Sequence, residues 1–316
     1  MVEFLTGSTI FAGFASNPVY LLQFVLVTLP NYALSALLIR EAVVAWKKGW
    51  ATLLSLGIAY GAINEGLMAK TYFTFQPLSP ALGTATGVGR LFGVNWPWVT
   101  GITLFHMMIS ISVPVALSFL VFPEAASQRL FSKKGTGVLL GLLVAQITAW
   151  TPILLVLDPG LRQNLPLLAL PIAIVLVFIY VGRRLPSADP GRTLRGSLGR
   201  PIWLAVIAAV FFVLAFVPIL RFFAFPFIPV SDLYVWFYQV DATGILATFY
   251  PMVFAALAMA FFVRYSLNGR QVLALAIGVL SVPLVSALAP FDLPAGAPIA
   301  ALVYLAAILA AWRRIG

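Results

Sequence analysis

The chain has no cysteine, a single histidine and only nine acidic residues in 316. The first absence excludes disulfides, thiolate metal sites and cysteine nucleophiles together. With so few acids and one histidine, no acidic cluster is available to hold Mg²⁺ with a polyprenyl diphosphate, and neither a metal nor a cofactor is expected. Charged residues of both signs make up 9% of the chain, against roughly a quarter in ordinary globular proteins. A water-soluble fold of this size would have too little charge to cover its surface. There is no GxxxxGK[ST] nucleotide loop, no HExxH zinc helix and no GxSxG elbow, so the single chain is not an ATP-driven pump. Nor does any period of 20 to 50 residues appear, which excludes a solenoid.

What the chain does contain is apolar: 62% of its residues. A helix needs about 20 mainly apolar residues to cross the hydrocarbon core of a bilayer. Runs of that kind occupy residues 19–40, 50–69, 98–122, 137–157, 165–182, 202–221, 244–264, 271–289 and 297–312. The pattern predicts an all-α fold, a polytopic transmembrane helical bundle of about nine spans, with residues 1–316 forming one integral membrane domain. Pro30, Pro114, Pro152, Pro171, Pro218, Pro251 and Pro283 fall within or near the ends of these spans. Each frees a backbone carbonyl and bends its helix.

The formal charge of +10 does not indicate nucleic acid, because the basic residues sit in short loops instead of forming a stripe on a folded face. Fifteen of the nineteen lie in alternate loops, from Arg40, Lys47 and Lys48 through to Arg313 and Arg314. The opposite loops hold only Lys70, Arg90, Arg162 and Arg221. Since Lys and Arg are retained in cytoplasmic loops, the N-terminus is expected outside and the C-terminus inside, in a prokaryotic plasma (inner) membrane. Met1–Ser16 carries Glu3 and no Lys or Arg, unlike a cleavable signal peptide, and reads as an external or interfacial segment. Residues 182–201 form a basic cytoplasmic loop suited to anionic headgroups of membrane lipids. Residues 71–97 and 222–243 form aromatic outer-side loops, with Trp96, Trp98, Tyr234, Trp236 and Tyr238 expected at headgroup depth.

The informative residues are the polar ones inside spans. Gly57, Tyr60, Gly61, Asn64 and Glu65 recur at three and four along one side of span two, so that side faces protein. Glu65 is the one carboxylate clearly within a span, and an intramembrane carboxylate must be paired, protonated or wetted. Its available partners are Lys70 and His106. His106 belongs to a second stripe, Thr103, His106, Ser110, Pro114 and Ser118, on span three. Thr28, Asn31 and Ser35 make a third on span one, and span four offers Gln146 and Thr148. Span four also carries Gly137 and Gly141 in a GxxxG arrangement followed by Ala145, a helix-packing signature. If spans two and three pack side by side, Glu65 and His106 meet. Such a pair can share a proton, orient the ring, activate water as a general base or bind a cation.

Asn64, Glu65 and Lys70, followed by Phe105 and His106, resemble the CAAX-processing and bacteriocin-protection group of intramembrane proteases. That group carries Glu-Glu-x-x-x-Arg on one helix and Phe-x-x-x-His on a following one. The resemblance implies Glu65 as a catalytic base and His106 as its polar partner. Here Asn64 replaces the first glutamate, Lys70 lies five positions after Glu65, Ile102 stands four before the histidine, and no second histidine exists.

Three functions remain open from the residues. The chain is a transporter with an outer-half polar cavity lined by Asn31, Asn64, Glu65 and His106 as substrate-binding residues. Alternatively, it is an intramembrane enzyme acting on a lipid or peptide at the outer leaflet, with Glu65 and His106 catalytic. In the third reading it is a non-catalytic subunit of a membrane complex, with partner subunits. The substrate class, whether small molecule, ion or lipid, stays open.

Overall fold

The computed structural model describes residues 22, 24–73, 90–157, 159–187, 200–216, 241–265, 267–288 and 296–315. Met1–Ser16, Arg192 and Arg195 of the basic loop, Pro218, Arg221, Tyr234, Trp236 and Tyr238 lie outside those residues, as do most of the two aromatic loops. The described part is helical apart from one short hairpin, because a chain in lipid must satisfy its backbone hydrogen bonds within each segment.

A π turn, Phe24–Thr28, leads into α1 (Leu29–Ala45). α2 (Trp50–Gly61) runs on through a second π segment, Ala62–Met68. Span three is α3 (Trp96–Phe105), a third π segment at His106–Ser112, and α4 (Val113–Val121). α5 (Lys133–Leu157) follows, then a 3₁₀ stretch, Pro159–Leu168, that enters α6 (Ala169–Arg184). α7 (Pro201–Phe216), α8 (Asp241–Arg264), α9 (Gly269–Leu288) and α10 (Gly296–Ile315) complete the described helices. Among the described residues, four stretches, at spans one, three, four and five, are long and apolar enough to cross a membrane, and three shorter helices are apolar as well.

α2 and span three form the centre of the bundle. Of the most apolar stretch of span three 78% is buried, against 6% in α5, so α5 turns most of its surface away from the rest of the described chain. Their close approach is set by glycine. A Cβ on Gly57 would stand 3.0 Å from the Met107 backbone, and one on Gly61 would stand 2.8 Å from that of Thr103. The working GxxxG pair is therefore Gly57 and Gly61. Gly137 and Gly141 meet no described atom within 4 Å, which corrects the packing role expected of them. On the other side of α2, Thr52 Oγ1 donates to Gly182 O and Ser55 Oγ to Phe178 O, fixing α6. α9 packs on α7 where Gly278 faces the Ala205 carbonyl.

The basic ends gather at one end of the molecule. Arg40 bonds the Gln128 carbonyl, Lys48 bonds the Leu185 carbonyl, and Gly269 lies against Leu120 and Ile315. Glu41, 1% exposed, accepts from Arg40 and from the Leu130 amide, tying α1 to the loop before α5.

At the opposite end, Arg90–Leu91 and Val94–Asn95 pair as β1 and β2. Phe92 and Gly93 both have positive φ, as a type I′ turn requires. Asn95 donates its amide to Tyr72 O and caps α3 by accepting from the Trp98 amide. Residues 71–73 and 94–95 are buried and fold inward over α2 and α3.

Candidate functional site

Three polar stripes converge in the non-basic half of the bundle. Gly61 lets the end of α2 sit against Thr103, and the antiparallel crossing brings Glu65 and His106, one on each of the following π segments, within side-chain reach. On one, Glu65 points its carboxylate at His106, with Oε1 2.8 Å from Nε2. On the other, His106 Nδ1 lies 2.8 Å from Ser110 Oγ, one turn further along. Nε2 faces both the Glu65 carboxylate and, at 3.1 Å, the Asn64 amide nitrogen, which can only donate, so the carboxylate favours a proton on Nε2 and the amide a proton on Nδ1 shared with the Ser110 hydroxyl.

The carboxylate is held by further donors. Asn64 Nδ2 donates to Oε1 at 3.0 Å, and the Thr71 hydroxyl donates to Oε2. Thr71 Oγ1 in turn accepts from the Trp98 indole N–H at 2.9 Å. A buried charge is tolerated only when its lone pairs are used in this way. Asn31 Nδ2 reaches in from α1 to Asn64 Oδ1 at 2.6 Å. Asn31, Asn64, Glu65, Thr71, His106 and Ser110 are all no more than 7% exposed. Around them stand aromatic rings. Tyr60 and Phe105 lie edge-on to His106, each with its centroid 5.6 Å away, and Tyr32 stands at 6.1 Å.

All four residues that the sequence singled out thus meet, but they bond to one another. Lys70 does not pair with Glu65. Its ammonium donates to Leu67 O at 2.7 Å and Thr151 Oγ1 at 3.1 Å. Trp98, expected at headgroup depth, is turned inward and is 9% exposed. Sequence reading missed Thr71 and Trp98, which close the site on its non-basic side. Their signal was a hydroxyl and an indole just beyond two span ends, where both also read as interfacial residues. Among the described residues, no three His, Cys, Asp or Glu side chains converge to hold a metal ion.

A family model described as "Uncharacterized membrane protein family" matches residues 5–316, nearly the whole chain. The chain belongs to that family of membrane proteins. No curated protein and no solved structure matches it. Family membership and the apolar helices together make this an integral membrane protein, while the chemistry of the site has to be read from its own geometry.

The helical form of the site is as telling as its residues. Asn64, Glu65, His106 and Ser110 all lie in π segments, and Asn31 lies three residues after a third. π turns are rare and occur frequently at functional sites, because each gives up regular i→i−4 bonding to re-aim side chains.

Proposed function

We propose that the protein is a proton-coupled carrier whose binding site is the Glu65–His106 pair, with Asn31 and Asn64 positioning it. The carrying observation is a carboxylate–imidazole contact of 2.8 Å, built on two π segments within membrane spans. With a neutral ring the pair holds one negative charge, and a single proton makes it neutral. That change between charged and neutral is what coupling to a proton gradient requires. The proline-bent helices suit alternating access, since they carry freed carbonyls and bend points. By the distribution of Lys and Arg, the basic end faces the cytoplasm of a prokaryotic plasma membrane, where anionic lipids would meet it.

A second reading, an intramembrane enzyme, rests on the resemblance at Asn64, Glu65, Lys70, Phe105 and His106. In its favour is the same contact, which places a base beside an imidazole. Against it, Glu65 Oε1 already accepts two hydrogen bonds and Oε2 accepts one, which leaves little room to hold an attacking water.

Purified protein in proteoliposomes, driven by an imposed pH gradient and offered panels of solutes, decides between them. Wild type is expected to accumulate a solute with proton movement. Glu65→Gln and His106→Ala are expected to abolish both while remaining monodisperse in detergent. Undiminished uptake by Glu65→Gln would sink the carrier reading. Product formation without a gradient would favour the enzyme, and misassembly of both variants would favour a structural subunit.

A further inference from the structure

The Glu65–His106 site is packed differently toward the two ends of the bundle. Toward the non-basic end, Thr71 covers the carboxylate and the Trp98 indole covers Thr71. Buried Tyr72, Phe73 and Val94 fill the space beside them. Toward the basic end the packing differs. A cavity of about 540 Å³ opens between α1 and α4, with Ala36 and Arg40 on one wall and Pro114 and Ser118 on the other. Its mouth is formed by Gln128 and Arg129, which are exposed.

The inner end of this cavity comes within a turn of the site. Ala36 is the residue after Ser35, and Pro114 lies four residues after Ser110, about 6 Å along a helix. Between the two, two polar atoms lack any partner. Asn31 Oδ1 and Ser35 Oγ are buried without a hydrogen bond, in residues 1% and 2% exposed. They are four apart on α1, so they share one face. Buried polar atoms in native proteins are nearly always bonded, to water where no protein group serves. A water needs two or more such partners, and this pair supplies them. Aromatic rings pack beside the site. Tyr60 and Tyr32 pack edge to face at 5.4 Å, in the same apolar cluster as Ala36 and Val115, and both rings stand against His106.

We infer that water reaches the Glu65–His106 site from the cytoplasmic end, through the cavity between α1 and α4 and past the Tyr32–Tyr60 pair, with Asn31 Oδ1 and Ser35 Oγ holding the bridging water. The structure is then the inward-facing form of the molecule. As a route for protons this inference rests on the carrier reading, but as a route for water it stands on the cavity and the two orphaned atoms alone.

The absence of cysteine makes wild type the background that the test needs. Ala36→Cys, Ser118→Cys and Ser35→Cys are introduced singly, and a membrane-impermeant charged methanethiosulfonate is added to inside-out or right-side-out vesicles. Ala36→Cys and Ser118→Cys are expected to react from the cytoplasmic face and not from the outer face. Ser35→Cys is expected to react from that same face, more slowly, and faster once Tyr60→Ala is added. Failure of Ala36→Cys and Ser118→Cys to react from the cytoplasmic face overturns the inference. Reaction of Ser35→Cys only from outside, or from neither face, overturns the link to the site. Labelling needs no solute and no gradient, so its outcome is independent of the uptake experiment.

Discussion

Lys70 shows how a residue can be buried, bonded and still at odds with its surroundings. It is 1% exposed and takes a φ of +57°, a left-handed conformation that usually falls to glycine at a helix end. The Leu67 and Thr151 oxygens bond its ammonium, but among the described residues no carboxylate pairs with it, and burial pushes its pKa down to about 8 from 10.5. Between about pH 8 and 10.5 the unfolded chain therefore binds more protons at this position than the folded one, and stability rises with pH across that window. Melting curves in detergent are expected to show this rise in wild type and its loss in Lys70→Met. Identical slopes for the two proteins would remove the argument. At this scale the sequence was readable where spacing implied facing. Glu65 and His106 could be placed together because stripes at three and four on adjacent spans must turn toward protein. The choice between His106 and Lys70 as the partner of Glu65 was not readable, since it depends on the turn at residues 69–71 that directs Lys70 toward α5.

Among elements, the contact between α2 and span three decides the site. Substituting Gly61 with Val places a Cβ 2.8 Å from the Thr103 backbone, which cannot move aside cheaply. Gly61→Val is expected to cost at least about 1–3 kcal/mol, the usual range for overpacking, and to separate Glu65 from His106. Gly141→Val is expected to leave the melting temperature unchanged, because nothing described stands within 4 Å of that position. Equal losses in the two variants would mean that α5 packs against something through this face. The sequence reading took Gly137 and Gly141 as the GxxxG pair and saw Gly57 and Gly61 only as part of a polar side, yet the motif states only that close approach is permitted, and a helix facing outward permits it without using it. The π segments left no trace in the sequence at all. Ala62–Met68 and His106–Ser112 have the composition of ordinary α-helix, and nothing in their residues sets them apart from the helices they continue.

For the whole molecule, the apolar runs located the described helices to within several residues, because hydrocarbon thickness leaves little choice of length. Charge predicts the orientation, and the structure gathers the described basic ends at one end of the bundle, as the alternation requires. Phe92, at the hairpin tip and 82% exposed, lies at the opposite end from exposed Ser187. Phe92→Cys is expected to be modified only from outside the cell, and Ser187→Cys only from the cytoplasm. Modification of both from one face would show that the span count is wrong by one. The expectation of an outer-half polar cavity rested on how the span ends fold, which spacing does not encode: Thr71 and Trp98 fold over the site at its non-basic end, and the gap lies between α1 and α4.

The π segment at His106–Ser112 also acts as an offset in the helix. Its i→i+5 bonding takes in one residue more than an α turn, so everything beyond it is rotated by about 100° relative to an uninterrupted helix. Pro114 and Ser118 owe their view of α1 to that extra residue, while His106 owes its aim at Glu65 to the turn before it. Removing any one residue between 107 and 112 would keep the span apolar and long enough to cross the bilayer, and it would still swing the lower half of the helix away from the cavity wall. The two ends of the proposed water route are thus held in phase by a single residue that hydrophobicity alone cannot identify.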